Sequence, residues 1–62
     1  MVTPEDSILS KLEWARRADS ERQLRDAAAI AEMNPTLDRG YITHSAEALG
    51  VLDFWRAIAG AD

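Results

Sequence analysis

The 62-residue chain predicts an all-α fold, a small bundle of about four short helices arranged as two helical hairpins. Apolar residues recur at three- and four-residue spacing in four separate segments, which is the signature of one-sided helices. Each segment is punctuated by capping residues, proline or glycine. No segment alternates with the period of two that a half-buried strand requires. The connections are short, so successive helices are expected to lie antiparallel beside each other.

Thr3-Pro4-Glu5-Asp6 opens the first helix. Thr3 can cap it, Pro4 suits the first helical position, and the two acids favour the positive end of the helix dipole. Ile8, Leu12 and Ala15 then fall on one face, with Leu9 at its edge. The helix should run to about Arg17, and Arg16 and Arg17 suit its negative end. Ser20-Glu21-Arg22-Gln23 reads as a capping box opening the second helix. Its stripe, Leu24, Ala27, Ala28 and Ala31, is made mostly of small residues, so a neighbour can come close but little apolar area is buried. Asn34-Pro35 ends it, because the residue before proline is pushed out of the helical region.

Asp38 is the expected cap of a third helix covering Tyr41 to Leu49, with Tyr41, Ala48 and Leu49 as its inner face and Gly40 a weak point near its start. Gly50 fits the left-handed position that closes a helix. A fourth, short helix follows from about Leu52 to Ala59, with Val51, Trp55, Ile58 and Ala59 on one side and Phe54 at the edge. Gly60-Ala61-Asp62 reads as a frayed tail.

A chain this short makes one domain, residues 1–62, and buries only about 60% of the surface its unfolded form exposes. Its core should supply only about 3–5 kcal/mol. There is no cysteine and only one histidine, His44. Disulfides, thiolate zinc sites and imidazole-rich metal sites are therefore excluded as reinforcement. The net charge of −4 argues against a general nucleic-acid binder or a ligand of anionic membranes, which need a basic footprint. The charge is uneven. Lys11, Arg16, Arg17, Arg22 and Arg25 stand between positions 11 and 25 against only Glu13, Asp19 and Glu21. That stretch is locally +2 while the rest is −6. No apolar run approaches the length of a membrane span, and the start lacks the basic-then-apolar pattern of a signal peptide. The expected location is cytoplasmic.

Four groups of residues are candidates for chemistry. Lys11 lies one turn from Ile8 and Ala15, and Asp26 lies beside Ile30 and Met33, so an antiparallel hairpin could turn both toward one groove. A lysine there could hold a phosphate, with the aspartate orienting it or helping with a metal; the plainer reading is a surface ion pair worth about 0–1 kcal/mol. Arg22 and Arg25, with Arg16 and Arg17, form a basic corner that could meet phosphates or merely answer Glu13, Asp19 and Glu21. Trp14 sits off the main stripe of its helix, either as a partner-facing anchor or under cover of the hairpin's twist. Trp14, Ile30 and Phe54, all off or at the edge of the stripes, are the candidate residues of an apolar interface. His44 falls on an exposed face. No glycine-rich phosphate loop and no nucleophile–base pair at a recognisable spacing is present, so no catalytic residue is assigned.

Three segments together carry a family likeness. Thr3-Pro4-Glu5-Asp6-Ser7-Ile8-Leu9-Ser10-Lys11-Leu12-Glu13-Trp14, Ser20-Glu21-Arg22-Gln23-Leu24-Arg25-Asp26 and Leu49-Gly50-Val51 resemble the C-terminal helical part of the bacterial minimal nucleotidyltransferases. That group includes the AbiEii-type toxins of toxin–antitoxin systems. The resemblance implies that the helical part packs against an N-terminal mixed sheet, whose glycine–serine motif and metal-binding aspartates perform the transfer. It implies that Lys11 matches a lysine near the nucleotide and that Asp26 matches the aspartate of an arginine–aspartate motif. The chain lacks the glycine–serine motif and the aspartate pair. It also has Ser45 where the family often carries a large apolar or aromatic residue, and Ala27 and Ala28 where it carries bulkier aliphatics.

Two readings follow. In the first, the chain is an accessory or self-associating helical module with no catalytic site of its own, and its partner is itself or a nucleotidyltransferase-like catalytic half. In the second, it is the nucleotide-binding component of a split nucleotidyltransferase that uses Lys11 and Asp26, with Arg22 and Arg25 nearby. Mg2+ and a nucleoside triphosphate would be needed only if a catalytic half completes it. A helix-turn-helix DNA binder is disfavoured by the acidic balance and the lack of an exposed basic recognition helix.

Overall fold

The computed structural model describes residues 3–59. It contains four helices and, among the described residues, no strand: α1 Pro4–Ala18, α2 Glu21–Met33, α3 Arg39–Leu49 and α4 Leu52–Ala59. The all-α class read from the periodicity is therefore the observed one. The tail from Gly60 onward lies outside the described residues.

Most boundaries follow the local chemistry. The Thr3 hydroxyl accepts from the Asp6 backbone N–H at 3.1 Å, and Pro4 occupies the first turn of α1. The Asp38 carboxylate accepts from the Tyr41 N–H at 3.0 Å, so α3 begins at Arg39, two residues earlier than expected. Gly50 closes α3 in the left-handed region, φ 77°. Asp19 closes α1 in the same region, φ 52°, a conformation aspartate tolerates better than most side chains. Ser20 departs from expectation. It stands at the N-cap of α2, but its side chain makes no capping hydrogen bond. The capping box is thus not formed, and its extended backbone alone starts the helix.

α1 packs along α2 and α3, and α4 packs against α2 and α3, so the helices form a ring of neighbours around one core. Two-residue connections join α1 to α2 and α3 to α4, giving the two hairpins. α1 and α3 run side by side in the same direction. Near their starts the Tyr41 hydroxyl donates to Asp6 at 2.9 Å; near their ends the Arg16 guanidinium lies beside Gly50. The core consists of Ile8, Leu9 and Leu12 from α1, Ala27 and Ala31 from α2, Ile42 and Ala46 from α3, and Val51 and Trp55 at α4. Ala15 is buried as well. Trp55 satisfies its indole N–H by donating to the Thr43 hydroxyl at 3.1 Å, as a buried tryptophan must.

The inner face of α3 is the principal correction. Tyr41 and Leu49 are 46% and 40% exposed, and Ala48 is exposed. Ile42 and Ala46 are fully buried instead, a rotation of about 100°, one residue of helix. Two physical reasons favour that face. Ile42 carries no polar atom, whereas Tyr41 keeps its hydroxyl on Asp6 at the surface. Ala46 lets α1 approach closely. No helix among the described residues is long and apolar enough to cross a membrane.

Candidate functional site

The rotation of α3 turns Tyr41, Ala48 and Leu49 outward onto one side, and α1 runs parallel beside them. The result is a groove of about 470 Å³ between the two helices. On the α1 side it is lined by Asp6, Leu9, Ser10 and Glu13; on the α3 side by Tyr41, His44, Ser45, Ala48 and Leu49. Both sets recur at three- and four-residue spacing, so each helix contributes a single face two turns long. Leu9 is 6% exposed and forms part of the floor, while Tyr41 and Leu49 stand open. Ser10 and Glu13 also line a shallower depression with Trp14 and Arg17. Trp14 is 62% exposed, so an open tryptophan stands beside the groove, on the far side of Ser10 and Glu13.

A polar clasp holds the start of this groove. The Glu5 carboxylate accepts from the Asp38 N–H at 3.0 Å, and Tyr41 donates to Asp6. Donation from the Asp38 backbone N–H holds the Glu5 carboxyl below its ordinary value. The Asp6 carboxylate, by accepting from the Tyr41 hydroxyl and by its charge, holds that phenol above its ordinary value. The two contacts fix the separation of α1 and α3 where the groove begins.

Lys11 and Asp26 meet elsewhere, across α1 and α2. Lys11 Nζ lies 3.7 Å from Asp26 Oδ2, and their side chains are 32% and 50% exposed. Arg22 is one turn from Asp26 on the same helix, and Arg22 and Arg25 are both exposed. Neither Lys11 nor Asp26 lines the α1–α3 groove or the Trp14 depression. Within the basic corner, Arg17 reaches Glu13 at 3.6 Å, and Arg16 lines a small depression with Gly50 and Phe54. Among the described residues, no group of three or more histidine, aspartate or glutamate side chains is placed to hold a metal ion.

The three residues expected to share an apolar interface are not together in one open patch. Ile30 and Phe54 are half-buried and packed against the core. They lie at stripe edges, and in a bundle this narrow the neighbouring helix covers such edges. Trp14 alone of the three stands open, in the company of Tyr41 and Leu49, which the pattern had assigned to the core. The signal that could have separated them was chemical: Ile42 and Ala46 offer a competing stripe without a polar atom, one that leaves the tyrosine hydroxyl at the surface. The chain matches no family model, no curated protein and no solved structure. The nucleotidyltransferase resemblance therefore rests on the quoted segments alone.

Proposed function

We propose that the chain is an accessory helical module that works by docking its α1–α3 face onto a partner, and that it carries no catalytic centre of its own. The observation that carries this reading is the exposure of Tyr41 and Leu49 along one groove, with Trp14 open in the adjoining depression that shares Ser10 and Glu13 with it. Small soluble domains rarely leave large side chains open together without a use for them, and tryptophan and tyrosine are the residues most enriched at the centres of interfaces. A catalytic half of the nucleotidyltransferase kind is one partner that the resemblance suggests; a second copy of the chain is another. The test is a photo-crosslinking residue placed at Ala48, in the groove, and in a separate variant at Glu32 on α2. A discrete cross-linked product from position 48 alone supports docking. Equal yields from both positions, or none from either, overturn it.

The second reading, a nucleotide-binding component of a split nucleotidyltransferase, is favoured by the 3.7 Å approach of Lys11 to Asp26 with Arg22 one turn away. A lysine paired this way is poised to exchange the carboxylate for a phosphate, and the aspartate could then help with Mg2+. Incubation of the chain with labelled nucleoside triphosphates, Mg2+ and transfer RNA is expected to give no transfer. Metal-assisted transfer needs several carboxylates fixed around the ion. Transfer that is lost on Lys11→Ala or Asp26→Asn would replace the docking reading with this one.

A further inference from the structure

We infer that the occupant of the α1–α3 groove is an amphipathic helix of a partner protein, with an apolar stripe flanked by two basic residues seven positions apart. This rests on the docking reading above and specifies its partner. The charged residues lining the groove are Asp6 and Glu13, both on α1 and separated by two helical turns. At 1.5 Å per residue they stand roughly 10.5 Å apart along the helix. Between them the lining is Leu9 and Ser10, faced by Tyr41, His44, Ser45, Ala48 and Leu49 from α3, so the apolar side chains form a stripe with polar ones beside it.

A valley between two parallel helices, two turns long and amphipathic in its lining, is the shape that accepts a third, amphipathic helix through its i, i+3/i+4 and i+7 side chains. The two carboxylates then set its charge. A lysine or arginine at each end of the bound stripe reaches one of them, and an acidic partner is repelled. Arg17 sits on Glu13 at 3.6 Å but is 77% exposed, so it can swing into solvent when a partner's cation takes its place. Asp6 already accepts the Tyr41 hydroxyl and keeps lone pairs for a second donor. The same acids argue against a second copy: two of these grooves laid face to face bring Asp6 and Glu13 of each against their counterparts.

The test uses the full chain and a displayed library of helical peptides randomised on one face. Enriched peptides are expected to carry an apolar stripe with lysine or arginine seven residues apart. Their binding should shift backbone NMR signals of Tyr41, Ala48 and Leu49, and should weaken at least tenfold with the Asp6→Asn/Glu13→Gln double variant. Unchanged circular dichroism confirms that this variant still folds. Enrichment of uncharged or acidic stripes that still bind the groove overturns the charge inference and leaves docking standing. No enrichment, together with a concentration-dependent dimer dispersed by Leu49→Glu, overturns it in favour of a second copy. No enrichment with a monomer at high micromolar concentration, and no cross-link from position 48, overturns both readings.

Discussion

Replacing Ile42 with alanine tests which face of α3 is buried. Ile42 is 0% exposed, so the change deletes three buried carbon groups, about 2.4 kcal/mol at ~0.8 kcal/mol each. The cavity left behind raises the cost to about 3 kcal/mol, within the range for such truncations. Against the roughly 3–5 kcal/mol available to a domain of this size, that leaves about 0–2 kcal/mol. A thermal melt followed by far-ultraviolet circular dichroism should fall by about 12–24 °C, at 4–8 °C per kcal/mol, with unfolded chain present at room temperature. Leu49→Ala is the control. Leu49 is 40% exposed, so its loss should cost no more than about 1.4 kcal/mol by the same transfer scale. A variant at Ile42 that melts within a few degrees of the parent, with Leu49→Ala the more damaging of the two, would refute the rotation of α3 and with it the groove.

Three further outcomes are expected. Lys11→Ala should cost less than about 1 kcal/mol in urea denaturation, since its partner Asp26 is half in solvent; a larger loss would mean the pair braces the α1–α2 hairpin. Gly50→Ala should cost about 1–2 kcal/mol, because φ there is 77°, and not because of crowding, since a Cβ would meet only the Arg16 guanidinium at 3.9 Å; a urea midpoint within error of the parent's contradicts this. The clasp should respond to pH from both sides. The folded state holds Glu5 below its ordinary 4.5, so its contribution is complete above that value and is lost as pH falls through the lower folded one. It holds Tyr41 above 10.0, so that contribution is present below pH 10 and is lost as pH rises through the higher folded value. Melts across pH should show the acid loss shrink in Glu5→Gln and the alkaline loss shrink in Tyr41→Phe; a parent-like profile in both would contradict the clasp.

Much of this architecture could be read from short-range chemistry. Thr3-Pro4, Asp38 and Gly50 mark helix ends because caps and left-handed closures are decided by a few neighbouring atoms. The α1 stripe was legible because Ile8, Leu12 and Ala15 had no rival face. The α3 stripe was ambiguous because Tyr41, Ala48 and Leu49 compete with Ile42 and Ala46, and only the positions of α1 and α4 decide between them. The groove was hidden for the same reason: it requires α1 and α3 to run parallel, a relation between segments more than thirty residues apart. The meeting of Lys11 and Asp26 was foreseeable, since both sit on adjacent helices of one hairpin.

Among the described residues, four of the ten buried apolar ones, Ala15, Ala27, Ala31 and Ala46, are alanines. An alanine has no rotamers to surrender on folding, so these seams cost little side-chain entropy. They also remove little apolar surface from water. Heat capacity on unfolding tracks that surface, and a 62-residue chain starts with little of it. The molecule should therefore have a shallow, flat stability curve and a melt spread over tens of degrees.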